Sequence, residues 1–253
     1  MALVKASPGD EGRLRDWLAR EPYFNLFLIA NLCDGLGENL EVWEQPGVGL
    51  LQRHGRAWTL DAGPRPEEFD FAGAACVVAS YPPSQVRSFV GRPEAIDPLV
   101  DRLSGSRGTV YVQRFAVMRV APEPIRPAGT PRPARLSDLD ALAEIYADAE
   151  DLSRPRSAVA EQLSRTWLVE DNGQITAVAA RSAQTDRAAM IGGVFTPPEH
   201  RRKGYGSTVV HALAASILEE GRAACLFYHN PEAGRIYLRL GFQELGDWKM
   251  VIF

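Results

Sequence analysis

Val194-Phe195-Thr196-Pro197-Pro198-Glu199-His200-Arg201-Arg202-Lys203-Gly204-Tyr205-Gly206-Ser207 reads as a strand that leaves through two prolines into a glycine turn and then opens a helix. Gly204 and Gly206 carry no Cβ and adopt positive φ without strain, so the backbone N–H groups from Arg202 to Ser207 can converge on an anion. The positive end of the following helix adds to the attraction. That helix is signalled by Val210, Leu213, Ala214, Ile217 and Leu218, which fall at the i, i+3, i+4, i+7, i+8 spacing of one buried face. Arg201, Arg202 and Lys203 stand just before the turn, where cations suit a ligand with several phosphates.

The same residues admit two rival readings. A dinucleotide-binding turn needs Gly-x-Gly-x-x-Gly directly after a strand, and here Val209 takes the third glycine position. A basic run can also grip nucleic acid, but the formal net charge is −4 and the pI near 5.7, so no nucleic-acid partner is expected.

A second constellation lies downstream, in Cys225-Leu226-Phe227-Tyr228-His229-Asn230-Pro231-Glu232-Ala233-Gly234-Arg235-Ile236-Tyr237-Leu238-Arg239-Leu240-Gly241-Phe242. An apolar strand gives way at Asn230 to a helix that Asn230 can cap and Pro231 can begin. Ala233 and Tyr237, at i and i+4, share a face of that helix, and Gly241 suits its end.

Together the two constellations resemble the GNAT superfamily of N-acetyltransferases. Arg201, Gly204 and Gly206 match its Arg/Gln-x-x-Gly-x-Gly/Ala pyrophosphate loop. Asn230, Ala233, Tyr237, Gly241 and Phe242 match its Asn-x-x-Ala-x-x-x-Tyr-x-x-x-Gly-Phe segment. The run Phe195 to Glu199 and the pair Asn230-Pro231 also resemble the glycine N-acyltransferase-like branch. The resemblance implies an α/β fold with a mixed sheet, acetyl-coenzyme A as cosubstrate, and direct attack by a small-molecule or peptide amine. It implies a pyrophosphate held by Arg201, Arg202, Lys203, Gly204, Tyr205, Gly206 and Ser207, with Asn230 also on the cofactor side. The acetyl group and pantetheine then lie against the backbone of Val194, Phe195 and Thr196.

Tyr237 is the general acid in this reading, since a phenol with an ordinary pKa of about 10 stays protonated at neutral pH and can protonate the departing sulfur. The general base is left open. Some relatives carry a carboxylate on the strand before the asparagine, where this chain has Cys225 to Tyr228, so Glu199, His200 and His229 remain candidates. Two alternatives stand beside acetyl transfer: transfer of a longer acyl chain, and a coenzyme A-binding regulatory module without turnover.

The resemblance covers about 134–253. Ahead of it, five prolines between Ala121 and Pro133 forbid a helix and predict an extended linker over 121–133. Ser137 with Asp140 signals a helix start near Ser137, with Leu139, Leu142 and Tyr146 on one face. Ala158 to Arg165 reads as a short helix. Thr166 to Glu170 and Gln174 to Ala180 read as a hairpin closed by Asn172-Gly173, Ala188 to Thr196 as the strand feeding the glycine turn, and Gln243 to Phe253 as terminal strand.

The first half, 1–120, reads as helices over Leu14 to Leu18 and Asn25 to Leu32, then strands over Glu41 to Glu44, Val48 to His54 and Ala57 to Asp61. A helix over Pro93 to Leu103 and a strand over Thr109 to Val120 follow. The order echoes the second half and predicts a degenerate GNAT-like copy or another α/β domain without cofactor. Ser88 to Pro93 stands where its phosphate turn is expected, without the paired glycines and with Pro93 removing a donor. Tyr23, Phe24, Phe27 and Trp43 are candidates for an acceptor pocket or for core packing.

Composition limits the remaining classes. The 45% hydrophobic content is that of a globular protein, and no apolar run reaches membrane-spanning length. The start of the chain lacks the apolar core of a signal peptide. Cys33, Cys76 and Cys225 make neither a metal pattern nor a disulfide framework, so a cytoplasmic setting and no metal are expected. Nothing in the sequence sets an oligomeric state.

Overall fold

The computed structural model describes residues 2–103, 108–147, 149 and 153–253. The chain divides into two compact units, one made of 1–115 with 246–253 and the other of 116–245.

The first unit runs β1 (Val4–Lys5), α1 (Glu11–Leu18), α2 (Leu26–Asn31), β2 (Leu40–Gln45), β3 (Gly49–His54), β4 (Ala57–Asp61), α3 (Phe71–Ala79), β5 (Ser88–Gly91), α4 (Pro93–Val100) and the start of β6 (Thr109–Met118). Its strands lie in the order β1 to β5. β1 to β4 pair antiparallel, whereas β4 and β5 are parallel and therefore need the α3 crossover between them. Beside β5 lies the last strand of the chain, with Lys249 opposite Gly91 and Ile252 opposite Ser88. Alternation along β2 sends Val42 to the α1 and α2 face and Trp43 to the α3 and α4 face.

The second unit runs β7 (Thr130–Pro133), a short 3-10 turn Leu136–Asp138, α5 (Leu139–Ala147), α6 (Arg156–Gln162), β8 (Thr166–Asp171), β9 (Gln174–Gln184), β10 (Ala188–Phe195), α7 (Tyr205–Glu219), β11 (Ala223–Tyr228), α8 (Pro231–Leu240) and the start of β12 (Gln243–Ile252). The strand order is β7-β8-β9-β10-β11, and β6 lies beside β11. Again the pair β10 and β11 is parallel and is joined by a helical crossover, α7. Leu168 and Val178 face α5 and α6, while Val169, Ala177 and Ala179 face α7 and α8. Asn172 and Gly173, with φ of 51° and 76°, make the hairpin turn their types favour.

Several expectations change. The divisions drawn at 120/121 and 133/134 do not coincide with the compact units. β6 and β12 each begin in one unit and end in the other, so neighbours in space are not neighbours in sequence. The proline-rich stretch is not only a connector. Its end is β7, an edge strand where missing N–H donors cost no ladder bonds. Upstream, Ala128 N–H donates to Thr208 Oγ1 at 2.9 Å on α7. The acid that starts α5 is Asp138, not Asp140: its Oδ2 accepts from Arg135 N–H at 2.6 Å. Both terminal nitrogens of Arg132 donate to the same carboxylate, at 2.7 and 2.9 Å, and hold it below the usual aspartate range. Trp43 stacks on Trp58 at 5.8 Å within the first unit's core, and Phe24 packs on Phe115 at 4.9 Å.

Candidate active site

β10 and β11 keep parallel register only as far as Ile191 opposite Leu226. β10 continues to Phe195, so its last four residues run on without register partners on β11. On the other side the register with β9 slips between Gly192 and Phe195, and Gly193 sits at φ 60°. This is a bulge, which turns backbone groups away from the ladder. The two parallel strands therefore part at their C-terminal ends, where ligands bind in open sheets of this kind. Val194 packs on the same core cluster as Tyr237, on the α7 and α8 face, while Phe195 packs on the α5 face.

Past the bulge, a short 3-10 turn Pro198–His200 leads to Arg202 at φ 62° and Gly204 at φ 90°. α7 begins at Tyr205 with no side chain capping it, and its first helical bond runs from Thr208 N–H to Gly204 O at 3.0 Å. The N–H groups of Tyr205, Gly206 and Ser207 are thus the orphan donors of a helix N-terminus. The positive φ expected at Gly206 belongs to Arg202 instead; Gly206 is helical, and a Cβ there would stand 3.1 Å from Thr196 Oγ1. Arg201 Nε donates to Thr196 O at 3.0 Å and Lys203 Nζ to Glu199 O at 3.1 Å, so both side chains brace the loop. The Tyr205 side chain is buried and donates to Asp171, which leaves its N–H as its contribution to the cradle.

Asn230 Oδ1 accepts from Glu232 N–H at 2.8 Å and caps α8. Tyr237 on that helix is buried, with its ring 5.7 Å from Tyr228 and 6.1 Å from Phe242. Burial pushes its phenol up to about 12. Tyr228 in turn donates to Glu244. Gly234 has a steric reason: a Cβ there would stand 2.4 Å from the Tyr228 ring. Cys225 is fully buried with its thiol pushed up to about 12, so it is neither nucleophile nor base.

On the α5 face a cleft of ≈ 650 Å³ is walled by Phe195, Pro197, Pro198, Ile145, Glu144 and Glu199, with His200 also on its rim. Two of the three base candidates, Glu199 and His200, thus line it, whereas His229 is exposed elsewhere. Among the described residues no cluster of three or more His, Cys, Asp or Glu is placed to hold a metal. Sequence reasoning missed Gly193, Tyr146 and Arg154. The Tyr146 hydroxyl donates to Gly193 O at 3.0 Å, and the Arg154 guanidinium lies 4.5 Å over the Tyr146 ring.

The first unit has the same parallel pair and crossover but a different helix start. The structural counterpart of the cradle is the β4 to α3 turn, not Ser88 to Pro93. There Asp70 Oδ1 accepts from Gly73 N–H at 2.8 Å, so a carboxylate already takes one of the N-terminal donors and sets its negative charge beside the rest.

A family model described as FR47-like protein matches residues 168–251, which hold the bulged strand, the cradle and α8. A GNAT-family acetyltransferase from Colwellia psychrerythraea aligns over 100% of both chains, with a TM-score of 0.60 and 12% identity. GCN5-related N-acetyltransferases from Kribbella flavida and Sphaerobacter thermophilus align with TM-scores of 0.63 and 0.66. Their identities are 19% and 15%, over 96% and 98% of this chain and 95% and 94% of theirs. The fold is that of the GNAT acetyltransferases. The likeness spans the first unit as well, although the sequence resemblance covers only the second half. No curated protein matches the sequence. Among the described residues no helix of this GNAT-fold chain is long and apolar enough to cross a membrane.

Proposed function

We propose that the chain transfers an acetyl group from acetyl-coenzyme A to an amine by direct attack. The observation that carries this reading is the uncapped start of α7, reached through two positive-φ residues from a strand that has just parted from its parallel neighbour. A diphosphate fits the orphan N–H groups of Tyr205 to Ser207, with Arg202 as an exposed cation beside them. A pantetheine arm can then follow the opening between β10 and β11. When bound, acetyl-coenzyme A supplies the activated thioester.

The amine nitrogen forms a bond to the thioester carbon, and the carbonyl oxygen gains charge that a backbone N–H at the bulge can stabilise. The C–S bond then breaks, and Tyr237 gives its proton to the sulfur, regaining one from solvent. The proton lost by the amine passes to solvent or to Glu199 or His200 on the cleft wall. In this reading the amine enters from the cleft on the α5 face, opposite α7 and α8. The first unit is a degenerate copy, since Asp70 fills the place of the pyrophosphate with negative charge.

Incubation with acetyl-coenzyme A and a panel of primary amines, read by thiol release and product mass, tests the proposal. Amine-dependent thiol release with an acetylated product is expected. Coenzyme A binding without release for any amine would overturn it in favour of a regulatory module, and preference for longer acyl donors would overturn the acetyl assignment.

A further inference from the structure

Gly193 and Val194 share one peptide unit, and in a trans peptide the carbonyl and the N–H point in opposite directions. The direction of the Val194 N–H is therefore set by whatever holds the Gly193 oxygen. That oxygen accepts the Tyr146 hydroxyl at 3.0 Å. Tyr146 is almost fully buried on α5 among Leu142, Val159, Leu168 and Val178, so its hydroxyl has little freedom to move. The Arg154 guanidinium lies over the ring, and its Nη1 donates to Gln162 Oε1 at 2.6 Å on α6. The space beside Gly193 is filled by the same two side chains: a Cβ there would stand 3.2 Å from Tyr146 Oη and 3.2 Å from Arg154 Nη2. Gly193 and Val194 are out of register with β9, and pairing with β11 ends at Ile191, so the neighbouring strands do not fix this peptide plane by regular pairing.

We infer that Tyr146 is a positioning residue: by holding the Gly193 carbonyl on the α5 face, it aims the Val194 N–H away from α5, toward the thioester carbonyl. The inference rests on the acetyl-transfer reading and adds to it the device that orients the oxyanion donor. It also accounts for glycine at 193. The positive φ disfavours most side chains, and the hydroxyl and guanidinium, each 3.2 Å away, crowd the place of a Cβ. A phenylalanine at 146 keeps the packing and removes only the tether, so the peptide unit is free to rotate while the bulge persists.

The test uses the full chain with acetyl-coenzyme A labelled by carbon-13 at the thioester carbonyl, read by the vibrational frequency of the bound carbonyl. In the wild type the carbonyl stretch is expected to fall below its value in free acetyl-coenzyme A. In Tyr146→Phe it should return toward that value, with kcat about 10- to 100-fold lower, short of the ~10²–10³-fold cost of deleting an oxyanion donor. Coenzyme A affinity should stay at the wild-type value while the melting temperature falls by only a few degrees, as for the loss of one hydrogen bond, which separates aiming from a merely structural role. An unchanged stretch and kcat, or a loss of kcat that follows a loss of coenzyme A affinity, would overturn the inference alone. A wild type that binds no acetyl-coenzyme A would overturn the underlying reading and the inference with it. Should Tyr146→Phe not fold, Gly193→Ala, whose methyl group presses on the hydroxyl from 3.2 Å and strains the positive φ while Tyr146 is retained, is expected to give a loss of the carbonyl shift in the same direction; a wild-type stretch in it would contradict the proposal.

Discussion

Tyr237 and Tyr146 are two buried phenols that ionise at about 12, yet they are assigned different work. For Tyr237 burial alone raises the value, and the group stays protonated at every pH where the protein would operate. Tyr237→Phe keeps the ring and its packing on Tyr228 and Phe242, so acetyl-coenzyme A affinity should hold while kcat falls by about 10²–10⁴. Steady-state kinetics alongside calorimetry check this. Both phenols ionise near 10 in the unfolded chain, so the stability they supply is fully present below that value and is lost as pH rises through about 12. An ultraviolet titration should therefore lose one late-ionising tyrosine in each of the single variants Tyr237→Phe and Tyr146→Phe. Tyr237 was legible because its spacing from Asn230 and Gly241 is local. Tyr146 was read only as one apolar face of a helix, since its bond to Gly193 joins residues far apart in sequence.

Two helix starts differ in whether their N-terminal donors are open, and in the proposed reading that difference assigns the diphosphate to the second unit. α7 follows Gly204 and has no side-chain cap, whereas α3 is closed by Asp70. Asp70→Ala should cost about 0.5–2 kcal/mol of stability, the usual loss for a cap, measured as a lower denaturant midpoint. Gly234→Ala should also destabilise, by about 1–3 kcal/mol, because the new methyl group meets the Tyr228 ring rather than open space; an unchanged midpoint would contradict that packing. The cradle, α7, α8 and the β8–β9 hairpin were all readable because glycine, proline and asparagine mark their ends. α3 was not, since Phe71-Ala72-Gly73-Ala74-Ala75-Cys76-Val77-Val78-Ala79 is apolar all round and shows no period. β7 was hidden by prolines that only an edge strand tolerates.

Each unit's sheet takes its outermost strand from the other half of the chain, β12 beside β5 and β6 beside β11. No local pattern in a sequence announces such an exchange, because β6 and β12 carry strand signals that suit either place. The consequence is testable: Ala116 and Met118 on β6 belong to the second unit's core, so a fragment of 134–253 lacks part of its own interior. It should melt without a cooperative transition by circular dichroism, and a melt matching the full chain would contradict the exchange as a folding requirement. The two units repeat one order of elements, but only one presents open donors at its crossover helix. Calorimetric titration of coenzyme A into the full chain and into Gly206→Glu, which sets a carboxylate beside Thr196 in the cradle, tests this most directly. One molecule bound per wild-type chain and none in the folded variant is the predicted result; two per chain, or equal affinity in the variant, would contradict it.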